Sequence, residues 1–297
     1  MTLSLFAQIM TNGLSIGMLY VLFVLGLDLI LKVTTLMNFA HGEFYMLGAY
    51  VVYFISVIFK LPFIVGLIFS GITLAVIGAL SYLGIFQWVH RRIKPGTPFT
   101  FVLLASAMAS IGLKMIASQA AVLGFGSTPK GIPAIFPQII TFGDVRLPAE
   151  KLAVIIFSFI LMAILYLILF KTKVGKSMRA VTLDPVASSL QGINPSRTYL
   201  MGFAVGCGLV GITGAMVAPL YAITPEMGGP VVISGLMVMM LGGMGSYKGA
   251  IIGGIAVGLI SSFGYFLFGG ISEALVFIMI IVVLIFKPGG FFGEALD

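Results

Sequence analysis

"KLAVIIFSFILMAILYLILFK", Lys151–Lys171, sets nineteen uncharged residues between two lysines. A helix of that length rises about 28 Å, close to the thickness of a bilayer's hydrocarbon core. Runs of this kind recur along the chain, at Leu5–Leu31, Asn38–Phe59, Pro62–Trp88, Pro98–Leu123, Glu150–Phe170, Tyr199–Ala222, Pro230–Leu241, Ala250–Phe268 and Ser272–Phe286. The seventh is short enough to be a tilted or broken helix, so the reading is eight or nine spans. Of the 297 residues 60% are hydrophobic and only 8% charged. A soluble domain carries roughly 25% charged residues on its outside. Alternating ten-residue strands, the mark of a membrane barrel, are absent, and an open sheet could not satisfy its backbone in lipid. The expected fold is all-α and polytopic, a single membrane domain over residues 1–297.

Charge gives the expected orientation. Lys32, Arg91, Arg92, Lys94, Lys171, Lys173, Lys176, Arg179, Arg197, Lys248 and Lys287 fall on one side of the nine-segment scheme. Lys60, Lys130, Arg146 and Lys151 fall on the other. The richer side is the cytoplasm by the positive-inside rule, which puts the N-terminus outside and the C-terminus inside. The net charge of +7 follows from these short loops; no aromatic-interleaved basic stripe suggests nucleic acid. Cys207 is the only cysteine, so no internal disulfide is available. The first basic residue is Lys32, so the first apolar run reads as a retained span rather than a cleaved signal.

Two connections exceed a turn. The outer one, Gly124–Ala149, contains four prolines and little charge and reads as an ordered cap. The inner one contains "VGKSMRAVTLDPVASSLQGINPSR", Val174–Arg197, the most polar stretch of the chain. Asp184 is a good N-cap, Pro185 suits the first helical turn, and Gly192 supplies a C-terminal stop. Asn194 and Pro195 repeat the start signal for the next span. The result is a helix of about two turns, with Val186, Leu190 and Ile193 on one apolar face. Such a face rests on lipid headgroups or docks a partner.

The inner stretch resembles the coupling loop (171–198) of ABC importer permeases, in which a short alanine-rich helix ending in Gly-Ile docks in a cleft of the ATPase. The matching residues are Arg179, Ala180, Asp184, Ala187, Gly192 and Ile193, with Leu190 on the same face. Three further stretches are similar to branched-chain amino acid permeases of the LivH type. These are "MNFAHGEFYMLGAY" (Met37–Tyr50), "LGGMGSYKGAIIGG" (Leu241–Gly254) and "KPGGFFG" (Lys287–Gly293). Phe291 departs from the leucine or isoleucine expected there. The resemblance covers nearly the whole chain, with the motifs in the family's order. It implies a bacterial inner-membrane permease that imports branched-chain amino acids. It also implies a second related permease, two cytoplasmic ATPases that bind the ATP, an external substrate-binding protein, and no cofactor on this chain.

The polar residues inside the spans allow more than one reading. Asn38, His41 and Glu43 read as a structural turn at the cytoplasmic end of the transport path, or as direct substrate contacts. Asp28 and Lys32, four apart, read as an interfacial ion pair. Lys114 lies deep in its segment, and a charge there should face protein or water rather than lipid. His90 is the only other histidine, and it sits in another loop, so no metal set is expected. No Ser-His or paired-carboxylate arrangement suggests a membrane enzyme. Glycines four apart, Gly202 and Gly206, Gly245, Gly249 and Gly253, and Gly254 and Gly258, suit close helix contacts within the subunit or between subunits. A urea or short-amide importer fits the same motifs. An ion-coupled carrier would leave the capped inner helix without a purpose.

The orientation is tested by thiol labelling in a Cys207→Ser background. A cysteine replacing Thr172 should react only once the cytoplasmic face is opened, and one replacing Ser127 should react from outside intact cells. The reverse pattern would overturn the topology.

Overall fold

The structure, a computed structural model, describes residues 3–92, 97–142, 145–269 and 272–292. Lys94 of the inner basic group and Gly293 of the last motif lie outside the described residues. The chain is helical almost throughout. In order come α1 (Leu3–Thr34), α2 (His41–Tyr53), α3 (Phe63–Ser81), α4 (Gln87–Arg92), α5 (Phe99–Phe125) and α6 (Ala149–Lys171). There follow α7 (Lys173–Leu183), α8 (Pro185–Leu190), α9 (Pro195–Val217), α10 (Gly228–Gly242), α11 (Tyr247–Phe268) and α12 (Ser272–Phe286). A π-helical turn, Phe54–Ile58, extends α2, and another, Tyr82–Phe86, joins α3 to α4.

Seven of the described helices are long and apolar enough to cross a membrane. Two shorter apolar helices, Gly228–Gly242 and Ala274–Phe286, bring the apolar segments to the nine expected from the sequence. The segment flagged as short, Pro230–Leu241, is α10, whose fifteen residues rise only about 22 Å. The described residues of the outer connection include a pair of strands the sequence did not announce. Ile139–Phe142 (β1) pairs antiparallel with Val145–Pro148 (β2), and Lys130 bridges Ile223.

Contacts group the chain into two compact units. One is Met1–Asp28, Pro133–Leu161 and Ile233–Asp297. Here a β-carbon added to Gly17 would lie 2.9 Å from the Gly254 carbonyl oxygen, and one on Gly258 2.3 Å from the Gly17 Cα. Gly249 and Gly253 face Gly242 of α10 in the same way. The helical glycines at four-residue spacing in this unit thus serve contacts inside the chain. Gly245 does not. It sits at φ +73 in the α10–α11 turn, where its N–H donates to Asp28 Oδ1 at 3.0 Å. Asp28, expected at an interface, is therefore 4% exposed and holds this turn.

The other unit, Leu29–Ile132 and Met162–Val232, is built on α2, α3 and α9. A β-carbon on Gly48 would stand 2.1 Å from the Gly211 oxygen, and one on Gly214 1.9 Å from the Tyr45 oxygen. Ser70 Oγ lies 3.0 Å from the Gly48 carbonyl and 2.9 Å from that of Gly211, within donating reach of both. Gly78 rests against Cys207 of α9, which is fully buried. Three backbones meet here without intervening side chains. Lipid tails are as apolar as leucine, so helices associate through such close packing rather than through a hydrophobic gain.

Substituting one of these glycines should therefore act through overpacking. Gly48→Ala is expected to destabilise the detergent-solubilised protein by about 1–3 kcal/mol, read as a drop in melting temperature. Gly84→Ala, with nothing within 4 Å of its added β-carbon, should leave the melting temperature unchanged. Equal effects would contradict the packing assignment.

Candidate functional site

The inner connection folds as two helices. α7 starts at Thr172, whose Oγ1 accepts from the Gly175 N–H at 3.2 Å. Gly175 passes so close to the end of α6 that a β-carbon would sit 2.1 Å from the Leu169 oxygen. Arg179 donates to that same Leu169 carbonyl, and its guanidinium lies 5.2 Å from the centre of the Phe170 ring. Met178 and Val181 are buried, and Thr182 Oγ1 lies 3.3 Å from the Lys32 carbonyl at the end of α1. α7 is thus a clamp that ties the inner connection to α1, α6 and α9. The sequence reading did not find it, although Thr172 as cap and Val174, Met178 and Val181 on one face were its signals.

α8 forms as its sequence dictates. Asp184 Oδ1 accepts from the N–H groups of Val186 (2.8 Å) and Ala187 (3.0 Å), and Pro185 occupies the first turn. Gly192 ends the helix at φ +81, a conformation that costs a residue with a β-carbon about 1–2 kcal/mol. Nothing lies within 4 Å of its added β-carbon, so the requirement is for conformation and not for space. Asn194 Oδ1 accepts from the Arg197 N–H, and Pro195 opens α9 directly. Most of the apolar face is bare. Leu183 is 88% exposed, Val186 70% and Leu190 85%, while Ala187 is exposed and Ile193 partly buried.

The second region is the turn between α1 and α2. Thr35, at φ +57, breaks α1, and its N–H still donates to the Leu31 carbonyl. The next amides are satisfied by side chains. Leu36 donates to Thr34 Oγ1, Met37 to Ser106 Oγ, Phe39 to Ser110 Oγ and Ala40 to Asn38 Oδ1. Both serines return their hydroxyl hydrogens to α5, to Leu103 and Ala107. Irregular backbone at membrane depth survives only where protein or water satisfies it, and this turn is satisfied by protein.

The serines that hold it lie well inside α5. Ser106 and Ser110 lie about 10 and 16 Å along α5 from its start at Phe99. Gly42 also packs against Gly228 at the start of α10. Asn38, His41 and Glu43 are 1%, 0% and 2% exposed. The turn is therefore an internal bend of the protein. The deciding partners, Ser106 and Ser110, are some seventy residues away in sequence and carried no signal in the motif itself. Lys114 is half-buried, farther along α5.

The two remaining motifs prove to be one piece of structure. The N–H groups of Phe291 and Phe292 donate to the carbonyls of Leu241 (2.8 Å) and Gly242 (3.0 Å). Gly290, at φ +77, passes close to the Met240 oxygen. Gly290–Phe292 of this motif is thus a lock on the end of α10.

Removing the serines that hold the buried turn should leave its amides without acceptors. Ser106→Ala and Ser110→Ala are each expected to cost about 1–3 kcal/mol, measured by denaturation in detergent. Ser118→Ala, farther along α5 and half-exposed, serves as the control. No difference between the three would contradict the anchoring role.

A family model described as "Branched-chain amino acid transport system / permease component" matches residues 9–284. The high-affinity branched-chain amino acid transport system permease protein BraD of Pseudomonas aeruginosa is 27% identical, over 97% of this chain and 96% of its own. LivH of Escherichia coli is 26% identical over 97% and 96%, and a probable LivH of Methanocaldococcus jannaschii 25% over 96% and 92%. No solved structure matches. The chain belongs to the family of branched-chain amino acid transport system permease components, multi-pass membrane proteins that are non-catalytic themselves and work with ABC transporter partners.

Proposed function

We propose that this chain is one of two related permease subunits of an ABC importer for branched-chain amino acids in a prokaryotic plasma membrane. Two cytoplasmic ATPases bind and hydrolyse ATP, and an external binding protein delivers the substrate. The transport path runs at the interface between the two permeases. The observation that carries this reading is α8, a helix capped at both ends on the most polar connection, with Val186 and Leu190 bare beside Leu183 at the end of α7. An apolar stripe that its own chain leaves uncovered suits a cleft in a partner. The clamp made by α7 and the direct step from Asn194 into α9 would pass a push on α8 into the membrane helices. In this scheme Asp184, Gly192 and Ile193 set the shape of the docking helix and Ala187, Val186 and Leu190 meet the ATPase. Arg179 anchors the element to α6.

An ion-coupled carrier has no use for this element, and a urea or short-amide importer shares it. Ala187→Glu adds a charge where the side chain is exposed, so the protein should insert and melt as the parent does. Uptake of L-leucine by the complete transporter should be abolished, and the ATPases should bind poorly or hydrolyse ATP without responding to loaded binding protein. Gly192→Asp should behave alike, with the small added cost of its φ. Uptake near the parent level in either variant, or parental uptake that survives loss of the ATPases, would sink the importer reading.

A further inference from the structure

His90 lies on α4 rather than in a loop, and it closes a joint between helices of one unit. α1 ends at Thr34, where Thr35 takes a positive φ, and the last carbonyls of a helix have no helical donor. Side chains supply donors instead. His90 Nε2 lies 2.7 Å from the Thr34 carbonyl oxygen, 56 residues away in sequence. A carbonyl only accepts, so Nε2 carries the hydrogen. In the neutral ring Nδ1 is left to accept from the Tyr82 hydroxyl, at 3.4 Å. Both ring nitrogens are engaged.

The same short helix is fastened to the start of α9. Gln87 Nε2 donates to Ser196 Oγ at 2.9 Å. The His90 ring centre lies 4.6 Å from that of Tyr199, and Phe86 and Tyr82 close on Phe203 at 4.8 and 5.3 Å. Ser196 is the second residue of α9, which follows the Asn194 cap and so stands next to α8. On the other side, Thr34 leads into residues 35–40, the turn whose amides are held by Ser106 and Ser110. α4 therefore joins the helix that α8 would push to the segment that enters the buried turn.

Two other contacts reach the end of α1, and both are weaker ties. A β-carbon added to Gly202 of α9 would stand 3.1 Å from Val33 Cγ1, but van der Waals contact fades within about 1 Å of separation. The Thr182 hydroxyl lies 3.3 Å from the Lys32 carbonyl and 2.9 Å from the Met178 carbonyl of its own helix, with one hydrogen to give. The bond from His90 is shorter and directional. Thr35 Oγ1 also donates to the Thr34 oxygen, at 2.6 Å, and ties it to nothing beyond its own segment. That second donor keeps the carbonyl satisfied if His90 is replaced, so the bond from His90 is not needed to hold the fold.

On the reading that α8 receives the ATPase stroke, we propose that His90 is a positioning residue of the transport cycle. It is a latch through which movement at the start of α9 draws the end of α1 and the buried turn. α4 travels with α9 through Gln87 and Tyr199, and the bond from Nε2 carries the motion to Thr34. Without that donor α9 moves and the turn lags, so ATP is hydrolysed with little passage of substrate.

The test uses the complete transporter in proteoliposomes with loaded binding protein, and measures L-leucine carried per ATP hydrolysed. His90→Phe keeps a ring against Tyr199 and removes the donor. It should assemble and melt as the parent does and keep the ATPase response to binding protein, yet carry about tenfold less leucine per ATP. In His90→Gln the amide nitrogen can stand where Nε2 stands, and the ratio should return to within about threefold of the parent. His90→Asn, one methylene shorter, should not restore it. A parental ratio in His90→Phe would overturn the latch, as would equal ratios in the Gln and Asn variants. If His90→Phe does not assemble, the comparison of Gln with Asn decides alone. Parental uptake without the ATPases would instead overturn the importer reading, a result distinct from any ratio measured in the variants.

Discussion

The contact of α2, α3 and α9 at Gly48, Ser70 and Gly211 constrains the rest of its unit. A single hydroxyl within reach of two carbonyls marks the point where three backbones come within van der Waals distance. In lipid this closeness replaces the hydrophobic gain that assembles soluble cores. It also fixes where α2 can begin. With Gly48 pressed on Gly211 and Tyr45 under Gly214, the first turn of α2 lies inside the protein, and the chain leaving α1 must reach it through non-helical residues. Ser106, Ser110 and Asn38 exist in that role because the amides of those residues have no water to turn to.

The same contact gives the inner connection something stiff to act on. α9 starts at Pro195, directly after the α8 cap, and runs straight into the glycine seam. Close-packed interfaces have little compressibility, so a displacement of α8 has few places to dissipate before α2 and α3. This supports a mechanical role for α8 without requiring any chemistry from the chain, in keeping with a family whose members are permease components.

What could be read from the sequence was what is local. Hydropathy located all nine apolar segments, because crossing a bilayer is a property of about twenty consecutive residues. Asp184–Pro185 and Asn194–Pro195 announced their helices because a cap acts within three residues. Long-range partners were invisible. The depth of the turn at Asn38 depends on two serines of α5, and the place of Gly245 depends on Asp28, 217 residues away. α7 was hidden by its charges and by Gly175, which in isolation reads as a helix breaker. The hairpin at Ile139–Pro148 has strands of only four residues, too short for a periodic signal.

The central claim is that α8 is the surface through which cytoplasmic ATPases move this permease. The most direct measurement is photocrosslinking from a benzoylphenylalanine at position Leu190, in the complete transporter in native membranes. The account predicts an adduct with an ATPase subunit whose yield changes between the nucleotide-free and nucleotide-trapped states. An adduct with lipid alone, or an ATPase adduct indifferent to nucleotide, would contradict it.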